Sequence, residues 1–350
     1  MRILVVGAGP TGLTAAVELA RRGLVPRIVE KRATPSPFSR AVGIQSRTLD
    51  LLAPSGAAKA IAEEAIPFEG AILHDGRREI GRLPLGHSED SRLWGLAQDR
   101  TEAHLAAALR REGGAVEYGT TFEGLEQDGD VVRATVASET AEYDWVIGAD
   151  GVHSAVRGAL GLPFEGYDLP ETWSIADVDA PGWPDPRWFH GFFKPGGEVA
   201  VVVPLERARF RVIASDPDAL AALPVPMAVS AIRSTGTFRI SVRQAPSFRV
   251  GRVCLAGDAA HCHSPVGGRG MNLGIADAAD LAARISSGEV DGYEAARHPE
   301  AARVIRLTER VRRAVQSKEP WRQRLILRTL GLALQVPAVR RAAARRAAGA

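Results

Sequence analysis

Three glycines near the start of the chain have the spacing of a phosphate-binding turn. Gly7, Gly9 and Gly12 follow the apolar run ILVV and precede a helical pattern, and Glu30 closes the next apolar run. Glycines at these positions allow a tight turn and let backbone amides at a helix N-terminus approach a pyrophosphate. An acidic residue after the second strand accepts hydrogen bonds from a ribose. The unit predicts a site for an adenosine diphosphate group, and by itself it leaves FAD and NAD open.

A second glycine-rich segment lies in the last third of the chain. The run Cys254-Leu-Ala-Gly257-Asp258 is typical of a short strand that ends in a carboxylate, and the glycines of 267–270 precede another helical pattern. Such a carboxylate can accept a hydrogen bond from a ribityl hydroxyl, and amides at a helix start suit the electron-rich edge of a flavin. Because an NAD-dependent dehydrogenase needs no second cofactor loop, the two segments together favour FAD.

A third motif, DWVIGADGVHSAVR, covers 144–157 and contains Asp150 and Arg157. In order and spacing, the three motifs resemble those of the flavoprotein aromatic hydroxylases of the para-hydroxybenzoate hydroxylase class. The signature GDAAH…P…G(G/A)(Q/K/R)G(M/L)N of that class matches 257–272 nearly residue for residue, although Arg269 stands where glutamine is commonest. The stretches VEKRATPSPFSRAVGIQSRTLDLL and YEAARHPEAARVI match the family as well, so the resemblance covers essentially the whole chain and is least specific at 164–245.

The resemblance implies roles for individual residues. Arg40 corresponds to an arginine near the FAD diphosphate and the nicotinamide nucleotide, Gln98 to a glutamine on the ribityl chain, and Pro265 to a residue that lines the isoalloxazine. The motifs and the resemblance together give the predicted cofactor-binding residues: Gly7, Gly9, Pro10, Thr11, Gly12, Glu30, Lys31, Arg40, Gln98, Asp150, Arg157, Gly257, Asp258, Pro265, Gly267, Gly268, Gly270, Met271 and Asn272.

The reaction implied by the resemblance is hydroxylation of a phenolic or polyketide-like ring through a flavin C4a-hydroperoxide, with NADH or NADPH and O2 as co-substrates. No acid–base pair is legible in the sequence, and the candidates for groups near the reacting atoms are Arg40, His190, Arg211 and Pro265. His190 and Arg211 could bind a phenolate or carboxylate. Aromatic residues of the middle region and the 84–96 loop are candidates for substrate contacts, although core packing explains each of them at least as well: Trp94, Trp188, Phe192, Phe210 and Phe238.

Two alternatives stay open at this point. An FAD-dependent reductase or dehydrogenase of the geranylgeranyl-reductase type would carry the same cofactor motifs without consuming oxygen. A flavin-binding pathway protein without turnover would retain them as well, because bound cofactor is not proof of catalysis.

The elements that must position these residues are predicted from hydrophobic periodicity. The fold class is α/β, with a Rossmann-like FAD-binding domain formed by 1–70, 97–163 and 248–292. An interleaved antiparallel-sheet substrate domain takes 71–96 and 164–247, and C-terminal helices take 293–350. Within this frame, Ser46 to Ala65 has the apolar spacing of one helix, and Phe238 to Arg243 that of one strand.

Composition limits the class of protein and its partners. The 350 residues are 45% hydrophobic and 24% charged, as in a soluble globular protein, and neither a signal peptide nor a membrane span is visible, so we expect a cytoplasmic monomer or homodimer. The adjacent residues His261, Cys262 and His263 cannot all point at one ion, so no metal is expected. Predicted partners are an aromatic small molecule and O2, with no integral membrane insertion.

The net charge of +3 conceals a basic C-terminal segment, because residues 303–350 hold thirteen Lys and Arg against Glu309 and Glu319. Such a segment can bind nucleic acid or acidic lipid. No nucleic-acid motif or stacking aromatics accompany it, so a pair of solvated helices is the preferred interpretation and no nucleic-acid partner is expected.

Overall fold

The computed structural model describes residues 1–36, 41–86, 92–265 and 268–348. The strands in these ranges are β1 (Ile3–Val6), β2 (Arg27–Glu30), β3 (Gly43–Gln45), β4 (Ile66–Pro67), β5 (Gly70–Asp75), β6 (Arg78–Pro84), β7 (Leu93–Gly95), β8 (Val116–Tyr118), β9 (Phe122–Asp128), β10 (Val131–Val136), β11 (Glu139–Tyr143), β12 (Trp145–Gly148), β13 (Glu165–Asp168), β14 (Trp173–Asp179), β15 (Trp188–Phe193), β16 (Val199–Glu206), β17 (Arg209–Ala214), β18 (Ala231–Phe238), β19 (Ser241–Gln244), β20 (Arg249–Val250), β21 (Val253–Leu255) and β22 (His261–Cys262). The helices are α1 (Pro10–Ala20), α2 (Ser46–Leu52), α3 (Ala57–Glu64), α4 (Gln98–Arg111), α5 (Ala155–Ala159), α6 (Gly270–Ser287), α7 (Gly292–Val315), α8 (Pro320–Gln335) and α9 (Pro337–Ala348).

A six-stranded sheet in the order β20-β21-β12-β1-β2-β8 carries the glycine motifs at its strand ends. Its pairs are parallel except that β20 runs antiparallel to β21. All four residues of β1 and of β12 are buried. Continuous apolar runs of this kind are typical of parallel strands covered on both faces, and α1 and α6 contribute to the same core. The predicted α/β fold with a Rossmann-like sheet is confirmed.

A second, larger sheet has seven strands in the order β18-β14-β17-β16-β15-β5-β6. It is antiparallel except between β15 and β5, which are parallel. Strands from 70–84 and from 173–238 therefore share one sheet, as the predicted substrate domain requires. The domain boundaries themselves stay a prediction.

Register separates the two faces of this sheet. His190, Val202 and Val212 are cross-strand partners and share one face, whereas the next row, with Arg211 and Asp177, lies on the other. The first face packs under 219–229 in its own apolar cluster. The second lies against the segment before β3, because Arg211 reaches the carbonyl oxygen of Ala41 and Val203 shares an apolar cluster with Val42.

Two predicted elements are wrong in extent. The helix expected from Ser46 to Ala65 is divided by a short 3-10 turn, Ala53–Ser55, because Pro54 has no N–H to continue the helix, and Gly56 follows at φ 72°. The strand expected from Phe238 to Arg243 belongs to two sheets. Phe238 ends β18, whereas β19 pairs with β13 and β22.

Helices α7 to α9 complete the described chain. Leu327 of α8 enters a cluster with Trp173 and Phe193 of the seven-stranded sheet, and a Cβ at Gly331 would lie 2.9 Å from the carbonyl oxygen of Ile80. That glycine lets the helix approach β6 closely. Within the described ranges, no helix is both long and apolar enough to cross a membrane.

Candidate active site

In the first glycine turn, the backbone leaves no room for a Cβ at Gly7 or Gly12 and leaves space at Gly9. Gly7 has φ 102°, and a Cβ there would lie 2.4 Å from the carbonyl oxygen of Ala149. A Cβ on Gly12 would lie 1.9 Å from the carbonyl oxygen of Gly7, whereas one on Gly9 would meet nothing within 4 Å. Helix α1 starts at Pro10 and no side chain caps it. Its N-terminal dipole therefore faces open space, which suits a diphosphate.

Glu30 stands at the end of β2 beside this turn. Its buried carboxylate accepts from the Ala8 amide at 2.9 Å and from the Arg32 amide and Nε, both at 3.0 Å. Burial raises the pKa of Glu30, but the hydrogen bonds from Arg32 and Ala8 outweigh it and hold the pKa below its ordinary value. Arg32 was missed in the sequence, where only its position after an acidic residue could have signalled it. Lys31 is exposed.

Thr11 joins the first glycine turn to the second. A Cβ on Gly257, which has φ 60°, or on Gly274 of α6 would lie 2.4 Å from Thr11 Oγ1. The threonine thus fits between the end of β21 and helix α6 only because both neighbours are glycine. Asp258, the next residue, is exposed. Gly274 was missed in the sequence, since a single glycine inside a helical pattern has no specific signal.

A buried carboxylate fixes the backbone of the second turn. Asp277 of α6 accepts from the Gly257 amide at 3.1 Å, pairs with His261 Nε2 at 2.6 Å and accepts from Arg297 Nε at 2.7 Å. Burial raises the pKa of Asp277, but His261 and Arg297 hold it below its ordinary value. This network was not predicted from the sequence, because its members come from three separate segments. In the described parts of the chain, no three His, Cys, Asp or Glu side chains form a cluster that could hold a metal ion.

Asp150 and Arg157 shape the loop after β12. Asp150 accepts from Ser154 Oγ at 2.5 Å and from the Ala155 amide at 2.7 Å, so it caps α5. Burial raises its pKa against these hydrogen bonds. Arg157 donates to the carbonyl oxygen of Ala259 at 2.8 Å and thereby ties this loop to the second glycine turn. Both side chains form hydrogen bonds within the protein. Direct contact of either with a cofactor stays a prediction.

Asn272 anchors the loop that precedes α6. Its Oδ1 accepts from the Gln45 amide at 2.9 Å, and its Nδ2 donates to the carbonyl oxygens of Gly43 at 2.9 Å and Gly268 at 3.0 Å. The Gly268 amide donates to the carbonyl oxygen of Pro265 at 2.9 Å. Met271, which precedes Asn272, is buried, whereas Pro265 is exposed. Gly267 lies outside the described residues.

A family model described as FAD binding domain matches residues 1–308. The chain belongs to this family. FAD is its cofactor, and the resemblance to the FAD-dependent aromatic hydroxylases is confirmed.

Curated relatives of this flavoprotein include 6-methylpretetramide 4-monooxygenase of Streptomyces rimosus, 33% identical over 344 residues, which cover 88% of this chain and 61% of the relative. The chain thus spans less than two thirds of that protein. Among solved structures, anhydrotetracycline hydroxylase of Streptomyces rimosus has a TM-score of 0.81 at 30% identity, covering 99% of this chain and 76% of the other. The p-nitrophenol 4-monooxygenase of Pseudomonas putida has a TM-score of 0.87 at 24% identity, covering 98% and 96%, and shares the fold.

The residues of this flavoprotein fit FAD on independent grounds. The space at Gly9 and the uncapped start of α1 suit its diphosphate. Next to Asn272, the buried Gln45 Nε2 has no hydrogen-bond partner among the described residues. A buried donor of this kind costs free energy unless a ligand accepts from it. A flavin ring carries acceptor atoms along one edge, so an occupant at this position would satisfy it.

Gln98 and Arg211 of the flavoprotein converge on the residue after Arg40. Gln98 Oε1 accepts from the Ala41 amide at 3.2 Å, and Arg211 Nη1 lies 3.5 Å from the Ala41 carbonyl oxygen. Arg211 also forms two bonds of 2.7 Å with the Asp177 carboxylate. Its charge is therefore already neutralised, and this geometry argues against the predicted role as a phenolate or carboxylate receptor. Arg40 itself lies outside the described residues.

His190 was grouped with Arg211 by the sequence and is not near it. It lies on the opposite face of the seven-stranded sheet, with Nδ1 3.3 Å from His74 Nε2, and lines an outer cavity of about 400 Å³ with Trp183 and Phe192. Burial, and then His74, lower its pKa to about 4. The prediction that His190 contacts substrate beside the flavin does not fit this position, because side chains alternate between faces and Arg211 comes from the other register. Phe210 packs on the same outer face.

Proposed function

We propose that the protein is an FAD-dependent monooxygenase that hydroxylates an aromatic ring, with NADH or NADPH and O2 as co-substrates. The observation that carries the proposal is the convergence of three cofactor motifs, tied together by Thr11, Arg157 and Asn272, beside one face of a broad sheet. Relatives that share at least 30% identity are monooxygenases of 6-methylpretetramide and pentachlorophenol, which supports a phenolic or polycyclic substrate.

The chain's own residues would divide the work along the cofactor. Glu30 would accept from the adenosine ribose, the amides at the start of α1 would hold the diphosphate, and Asp258 would accept from the ribityl chain. The loop 268–272, fixed by Asn272, would lie against the flavin ring together with β3. When bound, the flavin supplies the redox and oxygen chemistry, and the protein supplies orientation and exclusion of water.

The substrate would lie between the flavin and the sheet face that carries Arg211. Phe189 is on this face and packs 4.2 Å from Phe68, in a cluster with Val42 and Val203. The Arg211–Asp177 pair would shape this pocket by fixing Ala41 and the residue before it. The predicted 84–96 loop contributes Leu93 to the same cluster, and its central residues 87–91 lie outside the described ranges.

The activity is tested by oxygen consumption coupled to NADPH oxidation in the presence of candidate phenols and polycyclic phenols. A monooxygenase oxidises NADPH faster with substrate, consumes O2 and yields a product heavier by one oxygen atom. A reductase would oxidise NADPH without oxygen uptake into product, and a binding protein would show no stimulated turnover. Either of these results would refute the proposal.

The substrate face is tested with a matched pair of variants on one strand. Phe189→Ala alters the proposed pocket, so KM for the aromatic substrate should rise and less of the NADPH oxidised should yield product. Phe192→Ala, on the opposite face of β15, should lower stability while leaving KM unchanged. The reverse pattern would place substrate on the outer face.

A further inference from the structure

The exposed side of α8 carries a stripe of apolar side chains. Trp321, Leu325 and Leu332 are 65%, 55% and 64% exposed. Spacings of four and seven residues put them on one face of the helix. The opposite face is buried against the sheet through Leu327 and Leu334. The helix is thus apolar on two sides, and the described part of the chain covers only one of them.

Exposed apolar residues follow the stripe, and positive charge accompanies it. Val336, which follows the end of α8, and Val339 of α9 are exposed as well. Residues 320–350 contain seven arginines and no acidic residue. Among these, Arg324 lies on one flank of the stripe, and Arg328 lies within it, between Leu325 and Leu332. Neither forms an ion pair with any described carboxylate.

We propose that this surface, the α8 stripe of Trp321, Leu325, Leu332, Val336 and Val339, docks the protein on an anionic lipid surface. A helix with leucine and tryptophan on one side and arginines beside them lies in the plane of a bilayer interface, with its apolar side chains below the phosphates and its arginines against them. The part of the stripe on α8, from Trp321 to Leu332, has this arrangement over a length of roughly 17 Å, at 1.5 Å per residue.

Other occupants fit the charge pattern less well. Two copies packed stripe to stripe would bring arginines against arginines, because a two-fold interface pairs the same patch with itself. A folded acidic protein would have to offer an apolar groove that matches an exposed helix face and places carboxylates beside Arg324 and Arg328. A lipid surface supplies both the apolar phase and the negative phosphates without a matched shape. The proposal is independent of the proposed activity.

Vesicle flotation of the full-length holoprotein tests the proposal. The protein should float with vesicles of phosphatidylcholine and phosphatidylglycerol, less in high salt, and weakly with phosphatidylcholine alone. Replacing Arg324 or Arg328 with Gln should lower binding about fivefold each. The double substitution Leu325→Glu and Leu332→Glu should lower it at least about tenfold. The matched control is Ile232→Glu, because Ile232 is 58% exposed on β18.

Several results would overturn the proposal. These are no flotation at low salt, equal binding to both kinds of vesicle, and loss of binding in Ile232→Glu as large as in the stripe variant. Light scattering adds a further arm, since a dimer that dissociates in the Leu325→Glu and Leu332→Glu variant would assign the stripe to a second copy. A photo-crosslinker in place of Leu332 that couples to an acidic protein and not to lipid would assign it to that protein.

Discussion

At the scale of single residues, Glu30 shows how the proposed ribose acceptor would be oriented before its ligand arrives. The Ala8 amide and Arg32 keep its carboxylate ionised and fixed in the direction of the glycine turn. A ribose that donates two hydroxyls can replace the bonds from Arg32 without reorganising the strand. The side chain therefore gains charge-assisted hydrogen bonds at little conformational cost.

The variant Glu30→Gln should weaken FAD binding at least about tenfold, because a charge-assisted bond contributes roughly 1.5–3 kcal/mol and glutamine has no charge and only one acceptor oxygen. Fluorescence titration of the apoprotein with FAD measures the change. Glu117→Gln is the matched control, since Glu117 lies on the neighbouring strand β8 and pairs with Arg27 at the surface. Equal losses in the two variants would contradict the role of Glu30.

Asp277 is a residue whose removal should be costly. Asp277→Asn leaves the buried Arg297 without its counter-charge, and breaking a buried pair from one side costs roughly 3–5 kcal/mol. Asp280→Asn on the same helix, where the pair with Arg284 is partly exposed, should change stability little. Urea unfolding of both variants checks this, and similar midpoints would disprove it.

The same carboxylate predicts the acid limb of stability. The pKa of Asp277 is lower in the folded protein than in the unfolded chain. Its contribution is therefore complete above the ordinary aspartate pKa of about 3.9 and is lost as the pH falls through the lower folded value. In Asp277→Asn, this part of the pH dependence should be missing.

At the scale of elements, helix α1 can approach α6 and the turn after β21 because Gly257 and Gly274 have no Cβ atom. Thr11 occupies the space that a Cβ on Gly257 or Gly274 would need. This close approach puts the start of α1 beside the second glycine turn and so defines the distance between the two cofactor motifs.

A double-mutant cycle tests this packing. Gly274→Ala should destabilise the protein by roughly 1–3 kcal/mol, since the added Cβ overlaps Thr11 Oγ1. In a Thr11→Ala background the same change should cost less, because the overlapping atom is gone, although the Gly257 Cα stays 3.2 Å from the new Cβ. Urea unfolding of the four proteins gives the coupling energy. Additive effects would show that Thr11 and Gly274 do not compete for space.

Helices and strands were predictable where a local sequence pattern was sufficient. They were not predictable where adjacent residues belong to different sheets. The strand Trp188–Phe193 and the glycine turns follow from local pattern. The division of the helix after Ser46 could have been predicted only by treating Pro54 as a helix breaker. The break after Phe238 could have been predicted only by knowing which sheet each half joins. The sequence analysis grouped His190 with Arg211, although the two lie on opposite faces of the sheet, because the face of a side chain depends on register with strands far away in sequence.

At the scale of the whole molecule, the cofactor is itself a structural element that joins separated segments. Ligand that binds only the folded state stabilises it by about 2.7 kcal/mol at one hundred times Kd. FAD should therefore raise the thermal midpoint of the apoprotein in a concentration-dependent way. FMN is the control, because it lacks the adenosine group that we propose binds at Glu30 and the first glycine turn. Equal shifts with FAD and FMN would contradict the assignment of that site.

The α/β fold, the FAD cofactor and the family were all accessible from the sequence because the motifs combine fixed spacing with special backbone requirements. The network around Asp277 was not, since buried ion pairs join residues whose types are common and whose separations are arbitrary. The exposed stripe of α8 was also missed, because an apolar periodicity on both sides of a helix cannot show which side the core covers.

The hydrogen bond from the backbone N–H of Gln45 to Asn272 Oδ1 joins residues that are 227 positions apart in the chain. A ribosome makes residue 45 long before residue 272, so the flavin pocket stays half-built through most of translation. We expect cofactor loading to be a late event in biogenesis, after α6 has emerged. Limited proteolysis of nascent chains stalled before and after residue 287 would reveal when protection appears.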